Sequence, residues 1–256
     1  MKRINAILMV AVVSVFTMAL AGCQKDELPK GALPGLFSVS ANQQVRFSKG
    51  NMQYNETAHI WRFAEHQYDY LGKANDIEDI SYSGWTDFLE YWKNINWPIS
   101  NGGGKDYRWR MLTADEWDYL LNTRPNATSY VGIGNINGVG GLILLPDSMM
   151  LPPGFTFVAG FASDDEGWTR NNYTLAEWAI LEAAGAVFLP AAGDKVGTYL
   201  NGIGTQGAYW TSTCELSVRL QEPYIAHYLY FYSGSASVDR ALVYTVRSSV
   251  RAVLDN

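Results

Sequence analysis

Two thiols, three imidazoles and one run of three adjacent carboxylates are the side chains of this 256-residue sequence that first suggest chemistry beyond packing and solvation. The thiols are Cys23 and Cys214, and the imidazoles His59, His66 and His227 are scattered with no metal-ligand spacing. No Ser/His/Asp set or paired-acid motif accompanies them, so hydrolytic chemistry lacks its nucleophile and its base. Asp164-Asp165-Glu166 could attract calcium, but three adjacent acids without an EF-hand loop read first as a solvated face. Gly102-Gly103-Gly104-Lys105 lacks the spacer and following helix of a P-loop, and Gly202-Ile-Gly204-Thr-Gln-Gly207 runs into strand-forming residues instead of a helix. No catalytic group, resident metal or cofactor is therefore expected. Net charge is −6 with no basic stripe, which argues against a nucleic-acid partner.

What remains is a surface rich in tyrosine. The tract 207–253 gathers aromatic, β-branched and small polar residues into short runs broken at Ser233-Gly234, a strand-and-turn composition. Strand alternation from Ala226 to Tyr232 sets Tyr228, Tyr230 and Tyr232 on one face and His227, Leu229 and Phe231 on the other. One face can be core; the tyrosine face needs a covering layer or a partner.

The N-terminus is an address. Lys2 and Arg3 precede an apolar run from Ile7 to Leu20, too short for a membrane span and typical of an export signal. The run ends Leu20-Ala21-Gly22-Cys23, which resembles the lipobox of bacterial lipoproteins. That resemblance implies cleavage before Cys23 and acylation of its thiol, giving a signal peptide at 1–22 and a lipidated tether at 23–35. Two or three acyl chains anchor durably where one is marginal. Lipid on Cys23 leaves Cys214 without a disulfide partner. Gln24-Lys25-Asp26-Glu27 resembles the acidic tag that sends some lipoproteins to the external face of the outer membrane, so an outer-membrane, surface-exposed, lipid-anchored protein is expected.

The ordered part should begin near Leu36. Phe37-Ser-Val-Ser, Val45-Arg-Phe-Ser, Met52-Gln-Tyr and Ile60-Trp-Arg-Phe alternate apolar with polar, predicting a β-meander within a β-rich part at 36–106. Trp85, Phe88, Tyr91, Trp92 and Trp97 crowd an irregular region that reads as aromatic plugging or as a sugar-stacking platform. Thr113 with Glu116 three residues on is a capping box, with Leu112 and Trp117 at the hydrophobic-staple positions; Trp117, Leu120 and Leu121 share the buried face and Pro125 ends the helix. Thr174 and Glu177 repeat the device, with Gly185 at the C-terminus. Between the two helices, 132–141 reads as a glycine- and asparagine-rich loop and Leu142-Ile-Leu-Leu as a buried strand.

Arg110-Met-Leu-Thr113-x-x-Glu116-Trp117 resembles the Arg-Leu-Pro-Thr-x-x-Glu-Trp signature of the formylglycine-generating-enzyme, or sulfatase-modifying-factor, branch of the C-type lectin-like fold, with Leu112 in place of proline. Ala186-Val-Phe-Leu-Pro190, Gly207-Ala-Tyr-Trp-Thr-Ser-Thr213 and Ser249-Val-Arg251 follow in the family's order. The implied architecture is α+β: a C-type lectin-like core at 107–256 with two main helices packed on small twisted antiparallel sheets, preceded by the β-meander. The branch's enzymes use a C-terminal cysteine pair to bind copper, and only Cys214, in a turn-like stretch after Trp210, is present. Glu222-Pro223-Tyr224 resembles the Glu-Pro-Asn motif of calcium lectins but has Tyr where the amide should coordinate. The tract 207–253 also resembles the variable region of diversity-generating retroelement target proteins, with Tyr209–Thr213, Leu229–Phe231 and Val250-Arg251 as a rigid frame. That resemblance implies Tyr224, His227, Tyr228, Tyr230, Asp239, Arg240, Tyr244 and Arg247 as candidate ligand-binding positions, rich in the Tyr and Arg that dominate binding hot spots. The resemblances together imply a non-catalytic surface lipoprotein that binds a protein or glycan. An enzyme of the same branch with an altered site, or a purely structural envelope or adhesin component, stays open.

Overall fold

The structure is a computed structural model, and it describes residues 27–55, 57–69, 86–87, 95, 97–103, 108–162, 167–215, 225–240 and 246–256. Cys23, the residues 163–166 acids, Tyr224, Tyr244, the acidic tag before Glu27, and Trp85, Phe88, Tyr91 and Trp92 lie outside these residues. Within them the chain is mixed α+β, built mostly from small antiparallel sheets with few helices.

The four alternating segments near the N-terminus each form a strand: β1 (Phe37–Ser40), β2 (Gln43–Phe47), β3 (Met52–Asn55) and β4 (Ile60–Phe63). They do not form one meander. β3 and β4 are a separate hairpin, while β1 and β2 take their third strand from the far end of the chain, β16 (Val253–Asp255), with Val253 opposite Phe47 and Asp255 opposite Val45. The inward residues of this sheet, Phe37, Val39, Val45, Phe47 and Val253, join Trp117, Leu229 and Phe231 in the main apolar cluster. The β-rich N-terminal part thus shares a core with the C-terminal tract. Trp97 packs on a second cluster beside Trp61, ring centroids 5.5 Å apart, which is the plugging role.

Both capping boxes form. At α1 (Ala114–Asp118), the Thr113 hydroxyl accepts from the Glu116 amide at 3.1 Å and the Glu116 carboxylate accepts from the Thr113 amide at 2.8 Å. Leu112, Trp117, Leu120 and Leu121 are buried together, and the helix ends in a π-turn over Tyr119–Thr123 just ahead of Pro125. The short α2 (Ala127–Tyr130) follows. At α3 (Leu175–Ala183), Thr174 and Glu177 repeat the reciprocal pair. Gly185 and Ala186 then close the helix by donating to Glu182 and Leu181 at 2.8 and 3.0 Å, the bond pattern of a Schellman motif.

The segment read as a glycine-rich loop is a hairpin, β6 (Val131–Ile136) and β7 (Val139–Leu144), flanked by β8 (Asn172–Tyr173) and β9 (Val187–Pro190). Asn137 and Gly138, at φ 49° and 92°, supply the tight two-residue turn that matches strand twist. The other glycines give room for neighbours: a Cβ on Gly140 would come within 2.3 Å of the Trp168 indole. Glycine here signals close packing of a strand, which composition alone reads as loop.

Arg124 and Asp147 tie the helices to the first sheet. The guanidinium donates to Asp147 at 2.8 Å and to the Leu120 and Leu145 carbonyls, and Asp147 also accepts from the Ser38 amide and from Gln44. Burial would raise the Asp147 carboxyl, but these three donors outweigh it and hold the group below the usual carboxylate value.

Candidate functional site

The C-terminal tract forms β12 (Gln206–Glu215), β13 (Ile225–Tyr232) and β14 (Ser235–Arg240), paired in that order. Ala208 lies opposite Tyr230 and Trp210 opposite Tyr228, so one face carries Gln206, Ala208 and Trp210 beside Tyr228, Tyr230 and Tyr232. The other face carries Leu229 and Phe231, both fully buried, as the alternation predicts. Along the tyrosine row successive ring centroids are 6.1 and 6.3 Å apart, and Trp210 stands 6.3 Å from Tyr228. Exposure rises along it, from 3% at Trp210 to 42% at Tyr232.

The buried end of this row faces a second sheet, β11 (Tyr199–Asn201), β10 (Asp194–Val196), β15 (Val246–Ser248) and β5 (Thr86–Asp87). The two sheets are stitched where Gly193 bridges Gly207 and Tyr209 bridges Ser249. Between them opens a cleft of about 230 Å³. Ala208, Trp210 and Tyr228 form one wall; Val196 and Val246 face them, and Asp194, Asn201 and Ser248 supply polar groups. A chain of hydrogen bonds runs along its edge. The Tyr230 hydroxyl donates to Gln206 at 3.0 Å, the Gln206 amide donates to Asp194 at 3.2 Å, and the Asn201 amide donates to the other Asp194 oxygen at 3.0 Å.

Of the candidate positions, Tyr228 lines this cleft, and Tyr230 stands at its edge through Gln206. Asp239 occupies the register position opposite Tyr228. His227 alternates to the Leu229 side and so does not join the tyrosine face, and Arg240 occupies the register position opposite it. Arg247 sits between Val246 and Ser248 in β15, and strand alternation turns it from the cleft that both neighbours line. Sequence reasoning missed Asp194, Asn201 and Gln206. Their local signal was only a turn between short polar strands, and they matter because that hairpin folds over the tyrosine row.

Behind the cleft the frame is held by a buried polar network. Tyr209, fully buried, donates to the Pro190 carbonyl at 2.9 Å and accepts from the Asn51 amide at 3.1 Å. Arg251 donates to Asn51 at 3.0 Å and to the Ser48 and Phe188 carbonyls at 3.1 and 2.7 Å. Burial pushes the Tyr209 hydroxyl up to about 12 and the Arg251 guanidinium down to about 10, each partly offset by the other's presence.

The Arg110-to-Trp117 motif has a structural explanation. Arg110 grips Glu116 with two bonds of 2.8 Å and reaches Asp255 of β16 at 2.7 Å, so one guanidinium clips the start of α1 to the last strand. Burial alone would lower its pKa, and the two carboxylates more than reverse that, raising it. Cys214 lies within β12, where a turn was expected. It is half-buried and shares a shallow hollow with Arg110, Thr113 and Ser212. Among the described residues no group of three or more His, Cys, Asp or Glu could hold a metal ion.

No family model, no curated protein and no solved structure matches this chain.

Proposed function

We propose that this chain is a non-catalytic lipoprotein of the outer membrane, exposed at the cell surface through acylated Cys23, which binds a protein or glycan ligand on a C-type lectin-like framework. The observation that carries the binding reading is the cleft at the buried end of the tyrosine row. It is an apolar, aromatic-walled recess with a few oriented polar groups, the usual make-up of a ligand site. The framework reading is supported by the order of the elements: a clipped, capped α1, a second capped helix, then β9, β12 and the Ser249-Val-Arg251 segment. Retroelement diversification of the 207–253 tract fits the division between a buried frame and a half-exposed tyrosine face.

Two experiments test the reading. Cys23→Ala should move the protein from the detergent phase to the soluble fraction; a variant that still partitions with detergent removes the lipid assignment. A Tyr228→Ala/Tyr230→Ala chain should lose the signals that the native chain gives on immobilised glycans and immobilised surface proteins. Native and variant chains with the same signals would place binding elsewhere.

A further inference from the structure

We infer that the cleft between the two sheets binds a single pyranose ring, one sugar unit, without a metal ion. This rests on the ligand-binding reading and names the chemistry of that site.

The size comes first. At about 230 Å³ the cleft lies below the range of roughly 300–1,000 Å³ usual for drug-sized ligands, so it suits one ring. Its two sides differ in kind. Half-buried Tyr228 and Val246 offer aromatic and apolar surface over a floor of nearly buried Ala208 and Trp210, while Asp194 and Asn201 offer hydrogen bonds. The ligand must therefore be amphipathic across a ring: carbon-bound hydrogens against the aromatic wall, polar groups at the edge.

The polar edge narrows the choice. Each Asp194 oxygen already accepts one amide N–H and keeps capacity for another donor. Asn201 gives one amide N–H to Asp194 and keeps its second N–H and its carbonyl oxygen for a ligand. A row mixing acceptors and donors suits hydroxyls, which do both. An ammonium or guanidinium group would meet the Asn201 and Gln206 N–H donors as well as the carboxylate, and a ligand anion would meet Asp194. An alkyl chain would leave the edge groups unpaired, which is costly. The Tyr230–Gln206–Asp194–Asn201 chain holds the carboxylate in place before a ligand arrives, so little ordering is left to binding. The edge is reachable, since Val196 is 38% exposed and Tyr228 is half-buried.

The test is saturation-transfer NMR on the full chain in detergent, with the methyl glycosides of glucose, galactose, mannose and N-acetylglucosamine as probes. Saturation of the protein's aromatic protons should pass to ring protons of at least one glycoside, and excess EDTA should not change it. Asp194→Ala and Asn201→Ala, both in the outer hairpin, should each weaken that glycoside roughly tenfold, the loss expected for hydrogen bonds to the ligand, while each variant still melts in one cooperative transition, lowered only by the one or two hydrogen bonds it loses. Transfer that survives both variants, or that EDTA abolishes, overturns the inference. Nα-acetyl-lysine amide serves as the second probe. If it alone receives saturation, the sugar assignment fails while the cleft stands as a ligand site; if neither probe class does, the site reading fails with it.

Discussion

An Arg251→Met chain is expected to unfold with about 3 kcal/mol less free energy than the native chain, the loss expected when buried acceptors are left without their donor. Arg251 is 2% exposed and its hydrogen-bond partners are neutral: Asn51, the Ser48 and Phe188 carbonyls, and Gln67. Methionine fills most of the volume but donates nothing, so several buried acceptors lose their partner at once. Asn51 also donates to Tyr209, so the damage should extend into the strand that floors the cleft. Arg251→Lys should recover only part of the loss, because an ammonium cannot span acceptors on three separate segments. Urea unfolding of the three chains checks this. Midpoints should fall in the order Arg, Lys, Met at similar slope. A methionine variant as stable as the native chain would mean that the network is dispensable to the frame.

Phe231→Ala and Tyr230→Ala, neighbours in one strand, should separate core from binding face. Phe231 is fully buried, stacks on Tyr209 at 5.9 Å and meets the edge of Trp168 at 6.3 Å. Its ring lies over Gly207, where an added Cβ would come within 2.1 Å of it. Removing that ring should cost about 3–5 kcal/mol. Tyr230 is only half-buried, and its hydroxyl bond to Gln206 accounts for about 1 kcal/mol of stability. The same truncation should weaken a bound ligand by about 2 kcal/mol or more if the tyrosine is a hot spot. Thermal melts of both variants decide the stability half before any ligand is in hand. Equal destabilisation would make the tyrosine row part of the core and leave the cleft without its wall.

Thr113 with Glu116, and Thr174 with Glu177, announced two helix starts because a capping box closes within four residues and needs nothing distant. The alternation of Tyr228, Tyr230 and Tyr232 with Leu229 and Phe231 is likewise local: strand geometry turns successive side chains to opposite faces whatever the strand pairs with. The four N-terminal strands were legible for the same reason. Their pairing was not, since β2 joins β16 across some 200 residues of chain, and no residue in either strand names its partner. The glycines between Val131 and Gly141 misled for a related reason. Glycine marks a loop when it is there for its backbone, and a packed strand when a neighbour such as Trp168 needs the space, and the neighbour lies far along the chain. The cleft is the extreme case. Tyrosines in the sequence foretold a face requiring a partner, but Asp194, Asn201 and Gln206 become its polar edge only because the β10–β11 hairpin pairs with β15 and lies across β12. Local hydrogen bonding and side-chain period determined the elements; which sheets meet, and therefore which polar groups converge, was decided by burial of surfaces brought together from opposite ends of the chain.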